Sequence, residues 1–117
     1  QFARVVRVCR NTEKLLKSDS VVPEDDISVT DSFLGPAYGL VTEETADAIL
    51  VGAREEALIL DPVYTGKAFA GFLDFVRRGE VGAEAAVFLH TGGIPALFAY
   101  SPEALGLGGS PTAGRVE

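Results

Sequence analysis

The stretch "DPVYTGKAFAGF", residues 61–72, joins a stiff turn, an aromatic hydroxyl and the start of an amphipathic helix. A residue that precedes proline is pushed towards extended backbone, so the Asp61-Pro62 pair restricts how the chain enters the helix. The spacing predicts a helix from about Thr65 to Arg78, with Gly79 as its stop. The positions that this helix is predicted to bury are Ala68, Phe69, Phe72, Leu73 and Val76.

Apolar spacing predicts two further helices and two strands. One helix covers residues 2–17 and places on one stripe Phe2, Val5, Val6, Cys9, Leu15 and Leu16. Another follows an N-cap at Thr42 and buries Ala46, Ile49, Leu50, Ala53 and Ala57. The short runs Ile27–Val29 and Ala85–Leu89 predict strands. The expected fold class is therefore α/β, with helices packed on a few mostly parallel strands.

Composition and charge exclude several classes of partner. The chain has 117 residues, a formal charge of −7 and a pI near 4.6. An acidic surface disfavours nucleic acid and anionic membranes, and the basic positions Arg4, Arg7 and Arg10 are best interpreted as a solvated helix face. No apolar run reaches the roughly 20 residues of a membrane span. The lone Cys9 cannot form an internal disulfide, which favours a reducing, cytoplasmic setting, and no metal-binding cluster is visible.

Three motifs in order carry a resemblance to a known family: "GPAYGLVTEETADAI", "AREEALILDPVYTGKAFAGF" and "FLHTGGIPALFAY". Over residues 35–100 the chain resembles the C-terminal portion of the D-cysteine desulfhydrase and 1-aminocyclopropane-1-carboxylate deaminase family. Those are pyridoxal-phosphate enzymes with a tryptophan-synthase-β-like fold, also called fold type II. The resemblance implies that residues 1–100 belong to the large, cofactor-binding domain. Residues 101–117, rich in Gly, Pro and Ser, are expected to form a flexible tail.

Two tyrosines match the family's active-site pair. Tyr38 and Tyr64 lie 26 residues apart, which is the separation the family uses. The resemblance implies that Tyr64 supplies or orients a proton near the substrate and that Tyr38 leans over the reacting end. From the motif alone, Tyr64 could equally be a half-buried core tyrosine, and Tyr38 could be a loop anchor.

Thr65, Thr91 and Gly92 are the expected cofactor contacts. The deaminase branch has a glutamate directly after the tyrosine, beside the pyridine nitrogen, whereas this chain has Thr65, as in the desulfhydrase branch. Thr91 resembles the desulfhydrase form and is expected to hydrogen-bond that nitrogen, with Gly92 allowing close approach to the ring. The alternative for "TGG" is a tight turn that needs positive φ. Lys67 and His90 are interpreted as non-catalytic.

The family's Schiff-base lysine, its serine and asparagine loop and its glycine-rich phosphate loop do not occur in this chain. The chain begins at Gln1, inside a helical pattern, and is expected to be a segment that needs the missing N-terminal part of the same enzyme. The parent is expected to act on a small amino acid, D-cysteine first, giving pyruvate, ammonia and sulfide, and to form a homodimer. The alternatives are deaminase or cysteate sulfo-lyase activity, a non-catalytic partner subunit, and an unrelated acidic α/β binding domain.

Overall fold

The computed structural model describes residues 1–82 and 85–107. The chain divides into two compact units, Gln1–Asp31 and Ser32–Glu117, here called the first and the second unit. The α-helices are α1 (Phe2–Leu16), α2 (Glu43–Glu56) and α3 (Thr65–Arg77). Short 3₁₀ helices occupy Glu24–Asp26, Ile94–Ala99 and Glu103–Leu105.

The first unit consists of α1 and the segment that follows it. No residue of α1 is buried, so its apolar stripe is not a buried face in this structure. Polar contacts instead join the helix to the next segment: Arg10 donates to the Val22 carbonyl over 2.9 Å, and the Val22 N–H donates to the Glu13 carboxylate over 2.8 Å. The Val22 hydrogen bond is the main cause that lowers the pKa of Glu13.

The second unit is built on the pair α2 and α3. Thr42 caps α2 as predicted, because its hydroxyl accepts from the Thr45 N–H over 3.3 Å. Glycines let the two helices approach closely. A Cβ built on Gly66 would lie 2.8 Å from Ile49 Cγ1, and one built on Gly52 would lie 3.0 Å from Leu60 Cδ1. The buried members of the core cluster are Ala48, Ile49, Leu60, Phe69, Ala70 and Leu105.

Helix bounds were predicted better than helix faces. The structure ends α3 at Arg77, and Gly79 takes a φ of 69° as the predicted stop. The predicted buried positions Ala53, Ala57, Ala68 and Val76 are exposed, and Leu50 is half-buried. The buried positions of the two helices instead include Gly52 on α2 and Gly66 and Ala70 on α3.

Neither predicted strand is formed. Within residues 1–82 and 85–107 no backbone pairs into a sheet, so the predicted parallel sheet is not present in this part of the chain. In the run Ala85–Leu89, Val87 and Leu89 are exposed, while Phe88 packs on the rings of Phe69 and Phe72. A strand needs a neighbour to accept its backbone hydrogen bonds, and periodicity in one segment cannot supply that neighbour.

The first part of the predicted tail is folded. Residues 101–107 contain the 3₁₀ helix Glu103–Leu105, and Leu105 is buried in the core cluster. A single apolar side chain in a stretch rich in Gly and Pro was enough to anchor it, which composition alone does not reveal. Residues 108–117 of the predicted tail lie outside the described residues.

A tyrosine pair at the start of a buried helix

Asp61 builds the start of α3 and thereby sets the backbone at Tyr64. Its carboxylate accepts four hydrogen bonds: from the N–H groups of Val63, Tyr64 and Thr65 over 2.8–2.9 Å, and from the Thr65 hydroxyl over 2.6 Å. The Asp61 N–H in turn donates to the Thr65 hydroxyl over 2.9 Å. Free N–H groups at a helix start need acceptors, and the Asp61 side chain accepts from Tyr64 and Thr65, while the Asp61 carbonyl accepts from the Gly66 N–H.

The ionisation of Asp61 follows from these contacts. Burial by itself raises the pKa of this carboxyl group, because it disfavours the charged form. The hydrogen bonds from Thr65, Tyr64 and Val63 act in the opposite direction and together outweigh it, so the pKa of Asp61 lies below its ordinary value. Asp61 is therefore a buried anion at neutral pH, stabilised by the helix start.

The structure brings the two predicted tyrosines together. The hydroxyl oxygens of Tyr38 and Tyr64 lie 2.5 Å apart, and the ring centroids are 6.1 Å apart at 64°. Tyr38 is 80% exposed and Tyr64 is 56% exposed, so neither is a core tyrosine. Two phenols in hydrogen-bond contact share one proton between them and keep a second proton for another acceptor.

The pKa of Tyr64 is raised. The hydrogen bond with Tyr38 is the largest cause, followed by the charge interaction with Tyr38, partial burial and the charge of Asp61. Each of these disfavours the phenolate. The Tyr64 phenol is therefore protonated at neutral pH, as an ordinary phenol also is.

Thr65 is buried at the start of α3. Its side chain is 1% exposed, and its hydroxyl donates its only proton to Asp61 while accepting from the Asp61 N–H. The hydroxyl has no proton left for the nitrogen of a cofactor. In this structure Thr65 serves the helix start, a role that the sequence analysis did not assign to it.

The turn Thr91-Gly92-Gly93 lies against Asp61. Gly92 and Gly93 have φ values of 103° and 94°, and a Cβ on Gly93 would lie 2.5 Å from Asp61 Oδ1. The double glycine thus satisfies the tight-turn interpretation, and it also permits contact with the carboxylate. Thr91 is exposed at this turn. Gly93 is the residue of this turn that lies against the Asp61 carboxylate, which Thr65 also contacts.

His90 links the turn Thr91-Gly92-Gly93 to the backbone at Ile59. Its Nδ1 accepts from the Gly92 N–H over 3.1 Å, so the proton resides on Nε2, which donates to the Ile59 carbonyl over 2.9 Å. Both ring nitrogens are occupied by backbone. This agrees with the prediction that His90 is structural.

The described residues fit one side of a pyridoxal-phosphate site but not its anchor. The exposed hydroxyls of Tyr38, Tyr64 and Thr91 are suited to contact a polar ring and an amino acid. The single lysine of the second unit, Lys67, is 7% exposed and donates to the Leu34 carbonyl, so its amine is not available for an imine. No group of three or more His, Cys, Asp or Glu residues in 1–82 and 85–107 could hold a metal ion.

Two positioning contacts were missed by the sequence analysis. Tyr100 donates its hydroxyl proton to the Gly39 carbonyl over 2.6 Å, one residue after Tyr38. Lys67 reaches the same loop at Leu34. The signal for Tyr100 was its place at the end of the motif "HTGGIPALFAY", but a contact across 61 residues leaves no local pattern.

Comparison with known proteins agrees with the motifs. The chain is 42% identical over 100 residues to a 1-aminocyclopropane-1-carboxylate deaminase of Ralstonia pickettii, covering 85% of the chain and 30% of that protein. It is 42% identical over 101 residues to the enzyme of that name from Variovorax paradoxus, covering 86% and 30%. For Bradyrhizobium diazoefficiens the identity is 41% over 100 residues, covering 84% and 29%.

The matches cover most of this chain but less than a third of each relative. No family model matches the chain. Within the described residues no helix is long and apolar enough to cross a membrane. The chain spans about 30% of the length of the curated relatives it matches. The predicted resemblance is confirmed, since the chain is similar to a segment of proteins named 1-aminocyclopropane-1-carboxylate deaminase.

Proposed function

We propose that this chain is the segment of a pyridoxal-phosphate-dependent lyase that presents a proton-donating tyrosine pair to a small amino acid. The observation that carries the proposal is the contact of the Tyr38 and Tyr64 hydroxyls, 2.5 Å apart and exposed at the start of α3. Phenols at a protein surface have no structural need to meet in this way, because water satisfies them. The names of the relatives support the same reaction class.

Within the pair, Tyr64 is the proton donor. The phenol is protonated at neutral pH, and Tyr38 orients it through the shared hydrogen bond. When bound, the cofactor supplies an electron sink that weakens the bonds at the substrate's α-carbon. Tyr64 then protonates the group that leaves the β-carbon, or the carbon released when a strained ring opens.

The remainder of the enzyme supplies what this segment lacks. The chain matches about 30% of its relatives. In this proposal, the rest of the protein provides the amine that binds the cofactor and the loop that binds its phosphate. The extended runs Ile27–Val29 and Ala85–Leu89 would pair there with strands of a mostly parallel, fold type II sheet. Thr91 and Gly92 would lie beside the cofactor ring, and two copies of the parent would form a homodimer.

D-cysteine is the first substrate to test. Position 65 is a threonine, whereas the deaminase branch of the resembled family has a glutamate there, so this position offers no carboxylate to keep a pyridine nitrogen protonated. A weaker electron sink suits the loss of a thiol, which is a good leaving group, better than the opening of an unactivated cyclopropane. Elimination from D-cysteine with water would give pyruvate, ammonia and sulfide. The second candidate is 1-aminocyclopropane-1-carboxylate, which the names of the relatives favour.

The experiment uses the longest natural polypeptide that carries this segment. With pyridoxal phosphate added, sulfide release from D-cysteine and keto-acid release from each substrate are measured for the wild type and for Tyr64→Phe. We expect faster turnover of D-cysteine and a loss of about 10²–10⁴-fold in kcat for the variant. The control is Glu55→Gln, an exposed position on α2.

Other outcomes separate the alternatives. Faster turnover of the cyclopropane would assign the deaminase activity, and turnover of cysteate would assign the sulfo-lyase activity. Full activity in Tyr64→Phe would remove the tyrosine pair from the mechanism. Binding of a complete homologous subunit without cofactor binding would favour the partner-subunit hypothesis. A cooperative, monomeric unfolding transition with neither cofactor nor partner would favour the acidic binding domain.

The cytoplasmic setting remains a prediction from the single cysteine.

A further inference from the structure

The loop that carries Tyr38, residues 34–40, is held at both ends. It contains no helix, and Tyr38 projects from it with most of its surface exposed. At one end the Lys67 amine donates to the Leu34 carbonyl, and at the other the Tyr100 hydroxyl donates to the Gly39 carbonyl over 2.6 Å. Loop backbone without regular pairing depends on such side chains for its position.

Each contact lies at a glycine with positive φ. Gly35 has a φ of 73°, and a Cβ there would lie 3.5 Å from Lys67 Nζ and 3.0 Å from the Thr42 methyl group. Gly39 has a φ of 74°, and a Cβ there would lie 3.2 Å from the Tyr100 hydroxyl. The loop therefore follows a backbone path that other residues rarely adopt, and at both points it passes against the side chain that holds it.

Both holding residues are fixed to the rest of the second unit. Lys67 is buried in the first turn of α3, three residues after Tyr64. Tyr100 packs against the core cluster at the end of the 3₁₀ helix Ile94–Ala99. The loop that carries Tyr38 and the helix start that carries Tyr64 are thus fixed to the same core.

We propose that Lys67 and Tyr100 are positioning residues, which hold the loop 34–40 so that the Tyr38 hydroxyl stays in contact with the Tyr64 hydroxyl. Neither residue touches the substrate. The inference rests on the proposed function for its effect on turnover, but the contact itself does not depend on that function.

The first test needs neither cofactor nor substrate. Tyr100→Phe keeps the ring and removes only the hydroxyl. In the chain with labelled tyrosine, we expect the cross-relaxation between the rings of Tyr38 and Tyr64 to weaken, and the pKa of Tyr64 to fall towards its ordinary value. The control is Phe98→Leu, which changes an exposed ring two residues earlier and should alter neither quantity. Persistence of the ring contact and of the Tyr64 pKa in Tyr100→Phe would overturn the proposal.

A second variant tests the other end of the loop. Lys67→Met keeps an unbranched side chain, one atom shorter, and removes the donor. We expect the same loss of ring contact with unchanged far-ultraviolet circular dichroism. If Lys67→Met unfolds the chain, the Tyr100→Phe result alone decides.

Measurements of turnover separate the positioning of Tyr38 by Lys67 and Tyr100 from the use of the tyrosine contact in catalysis. In the polypeptide used for the lyase assay, Tyr100→Phe should lower kcat by up to about 100-fold with little change in KM, because a displaced catalytic group lowers the rate more than binding. Loss of ring contact with unchanged kcat would show that the contact is not used in turnover and would overturn the catalytic part. If the wild type has no lyase activity, the proposed function fails while the ring measurements still test the positioning contacts.

Discussion

The two units of the chain differ in what covers their apolar helix faces. In the second unit α2 and α3 cover each other, and Leu60 is fully buried between them and the segments around them. In the first unit α1 has an equally regular apolar stripe, yet no residue of that helix is buried. Amphipathic spacing therefore predicts a helix and the face it would bury, whereas burial depends on whether the covering surface belongs to the same segment.

Truncation of core side chains gives the largest expected contrast between the units. Leu60→Ala should lower the free energy of unfolding by about 2–5 kcal/mol, because it leaves a cavity in the core of the second unit. Leu16→Ala, at a position on α1 that is 70% exposed, should change it by no more than about 0.5 kcal/mol. Urea denaturation of the chain measures both.

The same pair of variants sharpens the comparison in the longer polypeptide. If the remainder of the longer polypeptide covers α1, Leu16→Ala should become destabilising there by about 1 kcal/mol or more. An unchanged value in both contexts would mean that the stripe on α1 is exposed in the whole protein as well.

Acid should weaken the second unit through Asp61. Because the pKa of folded Asp61 lies below its ordinary value, the unfolded chain takes up the proton first as the pH falls. The stabilisation is complete above the ordinary pKa of about 4 and is lost as the pH falls through the folded pKa. Asp61→Asn should lower the free energy of unfolding by about 1–3 kcal/mol at neutral pH.

The pH series supplies its own check. Urea denaturation from pH 7 to about pH 3 should show the gap between wild type and Asp61→Asn narrowing with acid. Asp74→Asn is the control, because Asp74 forms an exposed ion pair with Arg78 that is worth no more than about 1 kcal/mol. A gap that stays constant with pH would contradict the assigned role of the charge.

The smallest expected effect compares the two helix ends. Ala57 after α2 and Lys17 after α1 both have positive φ, 54° and 50°. Ala57→Gly should raise the free energy of unfolding by about 0.5–1 kcal/mol, since glycine removes the left-handed strain at a modest entropic cost. Lys17→Gly should leave the main transition unchanged, because α1 contributes no buried residue to it. An equal gain from both would show that the two units unfold together.

Local signals in the sequence predicted local structure well. The cap at Thr42, the start of α3 at Thr65 and the stop at Gly79 all depend on neighbours within a few residues, and all three are confirmed. The pairing of Tyr38 with Tyr64 followed from the family resemblance, and the structure brings the two hydroxyls together.

Contacts between distant segments could not be predicted in this way. The Asp-Pro turn was interpreted as a stiff entry, but the four hydrogen bonds accepted by the Asp61 carboxylate were not foreseen. Tyr100 and Lys67 reach the Tyr38 loop across 61 and 33 residues, and Leu105 enters the core from a stretch that lacks periodicity. The predictions of strands at Ile27–Val29 and Ala85–Leu89 were wrong for a related reason, because a strand forms only when a second segment pairs with it.

His90 has a consequence for how such a segment keeps its shape without a sheet. Its imidazole donates one proton to the Ile59 carbonyl and accepts one from the Gly92 N–H, which is the pair of hydrogen bonds that one peptide group makes in a ladder. The ring therefore acts as a substitute for a neighbouring backbone unit. Asparagine and glutamine also offer a donor and an acceptor. At position 90 they are the residues that could make the same two hydrogen bonds with the backbone.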